Sequence, residues 1–170
     1  GIAKKHGLLF IPGVEVKSIE GDIIALGVKN PIPKKLSAKE TTELIHRQGA
    51  LAVAAHPYSL PIIHRECVGS LSEKLDFDAI ETINSRTFFG NKKAREVAEK
   101  LGLPQVGGSD AHIAGEVGKA YTIVESARNV DSVLKAIKKG KTRACGSTIS
   151  PFSALGVYAR RIARKIRRAF

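Results

Sequence analysis

Residues 50 to 55, Ala-Leu-Ala-Val-Ala-Ala, are apolar without a break and stop at His56-Pro57. A run of this length is a strand rather than a helix, and its lack of alternation requires both faces to be covered. The rest of the chain supplies the covering layers. Phe77 to Ile83 alternates and ends at Asn84-Ser85-Arg86, and Asn91 opens a helix that runs through Leu101 to Gly102. Leu103 to Val106 reads as a short buried strand leading into Gly107-Gly108. Ala120 to Val124 is a strand, Val130 to Lys139 a helix stopped by Gly140, and Thr142 to Cys145 a last short strand. Strand and helix in alternation specify an α/β layer or barrel with parallel strands.

The first residues read as the end of a helix, with Lys4, Lys5 and His6 near its C-terminus and Gly7 as its stop. A chain that opens inside a helix is expected to be a fragment or a shortened version of a larger domain. Leu8 to Pro12 is expected to be a buried strand, followed by a turn over Ser18 to Asp22 and a second apolar run, Ile23 to Val28. Pro31 and Pro33 break the chain. Ser37 with Glu40 then forms a capping box for a helix to about Gln48, and its few apolar positions, Leu44 and Ile45, predict a surface helix. Residues 58 to 75 are irregular, with a short helix near Leu71. About five or six strands are legible, against the eight units and about 250 residues of a complete barrel, so the barrel is expected to be incomplete at its N-terminus.

A chain of 170 residues that is 43% apolar is long enough for one domain with a core. No apolar run approaches the length that crosses a bilayer, and Gly1 to Gly7 lacks the core of a signal peptide, so a cytoplasmic location is expected. Cys67 and Cys145 are widely separated and read as two reduced thiols. The net charge of +12 is unevenly spread: Arg160, Arg161, Arg164, Lys165, Arg167 and Arg168 carry half of it within residues 151 to 170, which hold no acidic side chain. Leu155, Ala159, Ile162, Ile166 and Phe170 recur there at helical spacing. Residues 147–170 are therefore read as a basic amphipathic tail, either packed on the body or lying on nucleic acid or anionic lipid.

Reactive groups in α/β folds collect at the carboxyl ends of strands. Glu15, His56, Asn84 with Arg86, and Asp110 with His112 each follow a predicted strand. Asp110 and His112 are two apart, a spacing that sends both side chains to one side of extended backbone. Taken singly, Glu15 reads as a surface residue, His56 as a turn histidine and Asp110 as a cap. Together they form a mixed oxygen and nitrogen set suited to zinc, manganese or iron(II). His6, His46 and His64 fall outside this pattern and read as solvated.

The order Ile11-Pro12-Gly13-Val14-Glu15-Val16, Ile23-Ile24-Ala25-Leu26-Gly27-Val28, Ala54-Ala55-His56-Pro57, Asp78-Ala79-Ile80-Glu81 with Asn84, Gly108-Ser109-Asp110-Ala111-His112 and Gly118-Lys119-Ala120-Tyr121-Thr122 resembles the PHP (polymerase and histidinol phosphatase) family of metal-dependent phosphoesterases. The resemblance covers residues 1–146. It implies a distorted seven-stranded (β/α) barrel with two or three metal ions, manganese, zinc or iron, at the C-terminal strand ends. Glu15 is then the bridging carboxylate, and His56, Asp110 and His112 are ligands, the last two also catalytic. Asn84 and Arg86 fall on the substrate side, where Arg86 would hold a phosphate oxygen. The family's opening His-x-His and a further His are missing from this chain, and Asp22 stands where many relatives have His; aspartate also coordinates metal. The implied activity is hydrolysis of a small phosphate ester or nucleotide, weak or absent in this chain alone. The alternatives are a non-catalytic domain of the same fold, or a basic module that binds nucleic acid or anionic membrane.

Overall fold

The computed structural model describes residues 1–60 and 67–150. After a four-residue helix α1 (Ile2–Lys5), five strands form one sheet in chain order: β1 (Gly13–Lys17), β2 (Asp22–Leu26), β3 (Leu51–Ala54), β4 (Ala79–Asn84) and β5 (Gln105–Gly108). Strands β1 to β3 are joined antiparallel, and β3 to β5 run parallel. The parallel part has a crossover helix, α3 (Gly90–Leu101), between β4 and β5, while α2 (Ala38–Arg47) lies between β2 and β3. Strands β6 (Ala120–Val124) and β7 (Thr142–Gly146) form a separate antiparallel pair with α4 (Val130–Lys138) between them.

The α/β class is as expected, but the arrangement corrects two features of it. Among the described residues the ladders do not close into a barrel, and the strands are of mixed direction rather than parallel. Short connections explain the second difference. Lys17 and Asp22 face each other across a turn in which the Ser18 Oγ donates to Gly21 O and accepts from Gly21 N, so β2 must return antiparallel.

The two faces of the sheet separate by strict alternation. Val16, Ile23, Ala25, Ala52, Ala54 and Ile80 face one way and pack with Ile45 of α2 and Val97 and Ala98 of α3. Ile24, Leu26, Leu51, Val53 and Ala79 face the other way, toward Val106, Val124 and Ile137 of α4. Helix α2 starts with the expected capping box, the Ser37 side chain accepting from Glu40 N and the Glu40 carboxylate accepting from Ser37 N. It lies at the surface, as expected, with Lys39, Glu40, Glu43 and Arg47 exposed, and it buries a face made of Ala38, Thr41, Thr42 and Ile45.

The buried strand expected over Leu8 to Pro12 does not form. Leu8 and Phe10 are 63% and 67% exposed, and pairing begins only at Gly13, opposite Leu26. Pro12 accepts a hydrogen bond from Gly27 but has no N–H to continue the ladder. His46 is not merely solvated either. Its Nε2 lies 2.8 Å from Asp78 Oδ2, and that carboxylate also accepts from Ala52 N and from Lys138 Nζ. His6 is exposed at the end of α1, and His64 lies outside the described residues. Cys67 and Cys145 are not joined in a disulfide, as expected.

Candidate metal centre

The site lies on the sheet face that carries Ile24, Val53 and Ala79. Glu15 is paired opposite Ile24, Asp22 is two residues before it, and Glu81 is two residues after Ala79, so alternation alone brings these carboxylates to one side. A cavity of about 310 Å³ opens there, lined by Gly13, Val14, Glu15, Ile24, His56, Glu81, Asn84, Gly108 and Asp110. The ends of β3, β4 and β5 and the middle of β1 thus converge on one space. A larger cavity of about 580 Å³ lies among Arg95, Gly102, Gln105, Gly140 and Arg143, at the opposite ends of β5 and β7, and lacks that donor set.

Ligand atoms of Glu15, Asp22 and His56 lie within 4.8 Å of one another, close enough to share one cation. The His56 ring is buried, with Nε2 3.4 Å from Glu15 Oε1 and Nδ1 3.8 Å from Cys67 Sγ. Its backbone is left-handed, with φ of 30°, although it precedes Pro57. Asp110 is left-handed as well, at φ of 47°. Of the three non-glycine residues with positive φ among those described, two therefore sit on this cavity. Such backbone costs about 1–3 kcal/mol per residue and persists where surrounding contacts over-determine it.

The electrostatics follow from burial and proximity. Burial pushes the His56 imidazole toward its neutral form, but its hydrogen bonds to Cys67 and Glu15 and the charge of Glu81 prevail and raise it to about 10. Glu15 is held below the usual carboxylate range, chiefly by its bond to His56, against its own partial burial. Glu81 moves the opposite way, pushed up to about 7 by burial, with the nearby Asp110 charge adding to the effect and His56 and Asn84 opposing it.

The remaining expected residues are placed less uniformly. Asn84 lines the cavity and is a hydrogen-bond hub, donating from Nδ2 to Glu81 and accepting at Oδ1 from Arg86 N. Arg86 and His112 are not among the residues lining the cavity. One guanidinium nitrogen of Arg86 donates to both carboxylate oxygens of buried Glu116, each at 3.0 Å. Glu116 in turn accepts from His112 N, so Arg86, through Glu116, fixes the loop that bears Asp110 and His112. The His112 ring places Nδ1 2.8 Å from its neighbour Asp110 O, which leaves Nε2 as the nitrogen with a lone pair in the neutral ring.

Sequence reasoning passed over two residues here. Glu81 is 4% exposed, and the signal was a carboxylate in a strand whose neighbours leave it no solvent face. Cys67 touches His56 across eleven positions of irregular chain, a contact that no periodicity announces.

Comparison with known proteins follows the same lines. A family model described as PHP-associated matches residues 89–142. Two uncharacterized proteins of Methanocaldococcus jannaschii are similar: MJ1587, 42% identical over 84 residues (49% of this chain and 47% of that protein), and MJ0417, 35% identical over 117 residues (65% and 49%). The chain spans about half the length of these curated relatives. Among solved structures, a two-domain protein from Bacteroides vulgatus containing a predicted PHP-like metal-dependent phosphoesterase aligns with a TM-score of 0.69 at 19% identity, over 94% of this chain and 51% of its own. PsfC from Pseudomonas syringae aligns with a TM-score of 0.64 at 20% identity, over 89% and 65%. At these identities the two structures speak for the fold alone.

Proposed function

We propose that the chain is a domain of the PHP family, as the match of a PHP-associated family model to residues 89–142 supports, and that it carries the metal site of a phosphoesterase acting on a small phosphate ester or nucleotide. One observation carries the proposal: carboxylate and imidazole donors of Glu15, Asp22 and His56 lie within 4.8 Å of one another beside an open cavity. Two oxygens and one nitrogen suit manganese, zinc or iron(II). A divalent cation there supplies Lewis-acid chemistry, stabilising charge on phosphoryl oxygens and activating water.

The chain's own groups complete the reading. Asp110 faces the same cavity and adds a further carboxylate for metal or for proton handling. His112 is tied at Nδ1 to a backbone carbonyl, so its Nε2 is the atom that binds an ion or takes a proton. Asn84 offers its amide to the substrate side. For Arg86 to hold a phosphate oxygen, its guanidinium must share that contact with Glu116.

The test begins with elemental analysis of the purified chain. Near-stoichiometric manganese, zinc or iron, lost in His56→Ala, is the expected result. Phosphate release from a nucleoside monophosphate is then measured for the chain and for a polypeptide of the relatives' full length, with weak or no turnover by the chain alone and loss of turnover in His112→Ala. A chain that binds none of these metals is instead a non-catalytic domain of the same fold.

A further inference from the structure

Alternation from Val53 along β3 sends Ala55 toward the cavity face and His56 toward the opposite one. The imidazole nevertheless reaches Glu15 on the cavity side, and the backbone leaves strand geometry at that residue, with φ of 30°. Pro57 favours extended backbone at the residue before it, so local sequence opposes this conformation. Something outside the segment must hold it.

The atom in the right place is Glu81 Oε2, which accepts from His56 N at 2.8 Å. Glu81 is itself firmly seated. Its side chain is almost wholly buried, and the same oxygen accepts from Asn84 Nδ2 at 3.1 Å. The other oxygen occupies the space where a side chain on Gly108 would begin, since a Cβ built there would lie 2.5 Å from Glu81 Oε1. A glycine at that point in β5 is therefore what makes room for the carboxylate. A buried carboxylate is costly unless its oxygens are used, and here it is used on a strained backbone N–H.

We propose that Glu81 is a positioning residue of the metal centre: its carboxylate holds the His56 N–H, and with it the left-handed turn that aims the imidazole at Glu15 and Asp22. This rests on the reading of those three residues as a metal site. The competing role is direct coordination by Glu81, and two substitutions separate them. Glu81→Gln keeps an acceptor at the same reach without charge, and Glu81→Asp keeps the charge but withdraws the acceptor by one methylene.

The experiment measures Zn²⁺ affinity of the full chain by calorimetry against a competing chelator, together with hydrogen exchange at the His56 amide in metal-free protein. Positioning predicts that Glu81→Gln stays within about threefold of wild type in Zn²⁺ affinity while Glu81→Asp weakens it about tenfold or more, as loss of a supporting partner does. The His56 amide then exchanges faster in Glu81→Asp and not in Glu81→Gln. Equal weakening in both variants with the amide protected in both overturns the proposal in favour of coordination, and wild-type behaviour of Glu81→Asp overturns it outright. If Glu81→Asp does not fold, Glu81→Gln decides: retained Zn²⁺ affinity supports positioning and a marked loss refutes it. If wild type binds no Zn²⁺, the metal reading fails by itself, and amide exchange alone still decides whether Glu81 holds His56.

Discussion

Asp78 shows how much a single buried charge organises away from the cavity. Its carboxylate accepts from Ala52 N at 2.9 Å on β3, lies 2.8 Å from His46 on α2 and 2.8 Å from Lys138 on α4. Three elements are thereby tied to the start of β4. Burial pushes this carboxyl upward, but the Lys138, Ala52 and His46 contacts outweigh it, and the net effect is a value below the usual carboxylate range. A depressed folded-state value means that the stabilisation is complete above the unfolded value of about 3.9 and disappears as pH falls through the folded one. Asp78→Asn is therefore expected to lose about 2 kcal/mol of stability at pH 7, the scale of hydrogen bonds to a charged group. Urea titration checks this. The gap between variant and wild type should close below about pH 4, and a gap of constant size at pH 7 and pH 3 would show that the charge is not the cause.

The join between the two sheets rests on a side chain acting as backbone. Thr122 Oγ1 on β6 accepts from Gly107 N and donates to Gly107 O, both at 2.9 Å, where a neighbouring strand would have continued the ladder of β5. A Cβ on Gly107 would lie 2.8 Å from Tyr121 O, so glycine permits the approach. Thr122→Val keeps shape and strand preference but orphans one donor and one acceptor, and an expected cost of about 2 kcal/mol or more follows. It should appear as a lower urea midpoint with an unchanged slope. Because β5 leads into Asp110, Zn²⁺ affinity should weaken in the same variant. Elements such as β6, α3 and the capped start of α2 were legible in sequence, since period, caps and glycine stops are local signals. Leu8 to Pro12 misled because apolar content does not say whether a partner strand reaches it, and β2 stops pairing at Leu26 opposite Gly13. The positions of His56 and Asp110 were legible from strand ends, while Glu15, expected just after a strand, lies in the middle of β1; Glu81, Cys67 and the His46–Asp78 pair depend on which segments become neighbours.

At the scale of the whole chain, charge is the property that the sheet and its cavity do not account for. The site is built from carboxylates, yet the chain carries +12, half of it within residues 151 to 170, which lie outside the described residues. Ile149, just before them, is buried and donates its N–H to Ser85 O beside the end of β4. We propose that the six basic side chains of the segment engage phosphates of nucleic acid or anionic lipid. Counterion release makes this quantitative, because each phosphate neutralised on duplex DNA adds about 0.9 to the slope of log K against log salt. Removing residues 151–170 should then lower that slope by up to about 5 and weaken DNA binding most at low salt, with Zn²⁺ affinity unchanged. A parallel titration with vesicles containing phosphatidylserine distinguishes the two polyanions. An unchanged slope and unchanged vesicle binding would confine residues 151–170 to a structural role and assign any polyanion binding to the basic residues of the body.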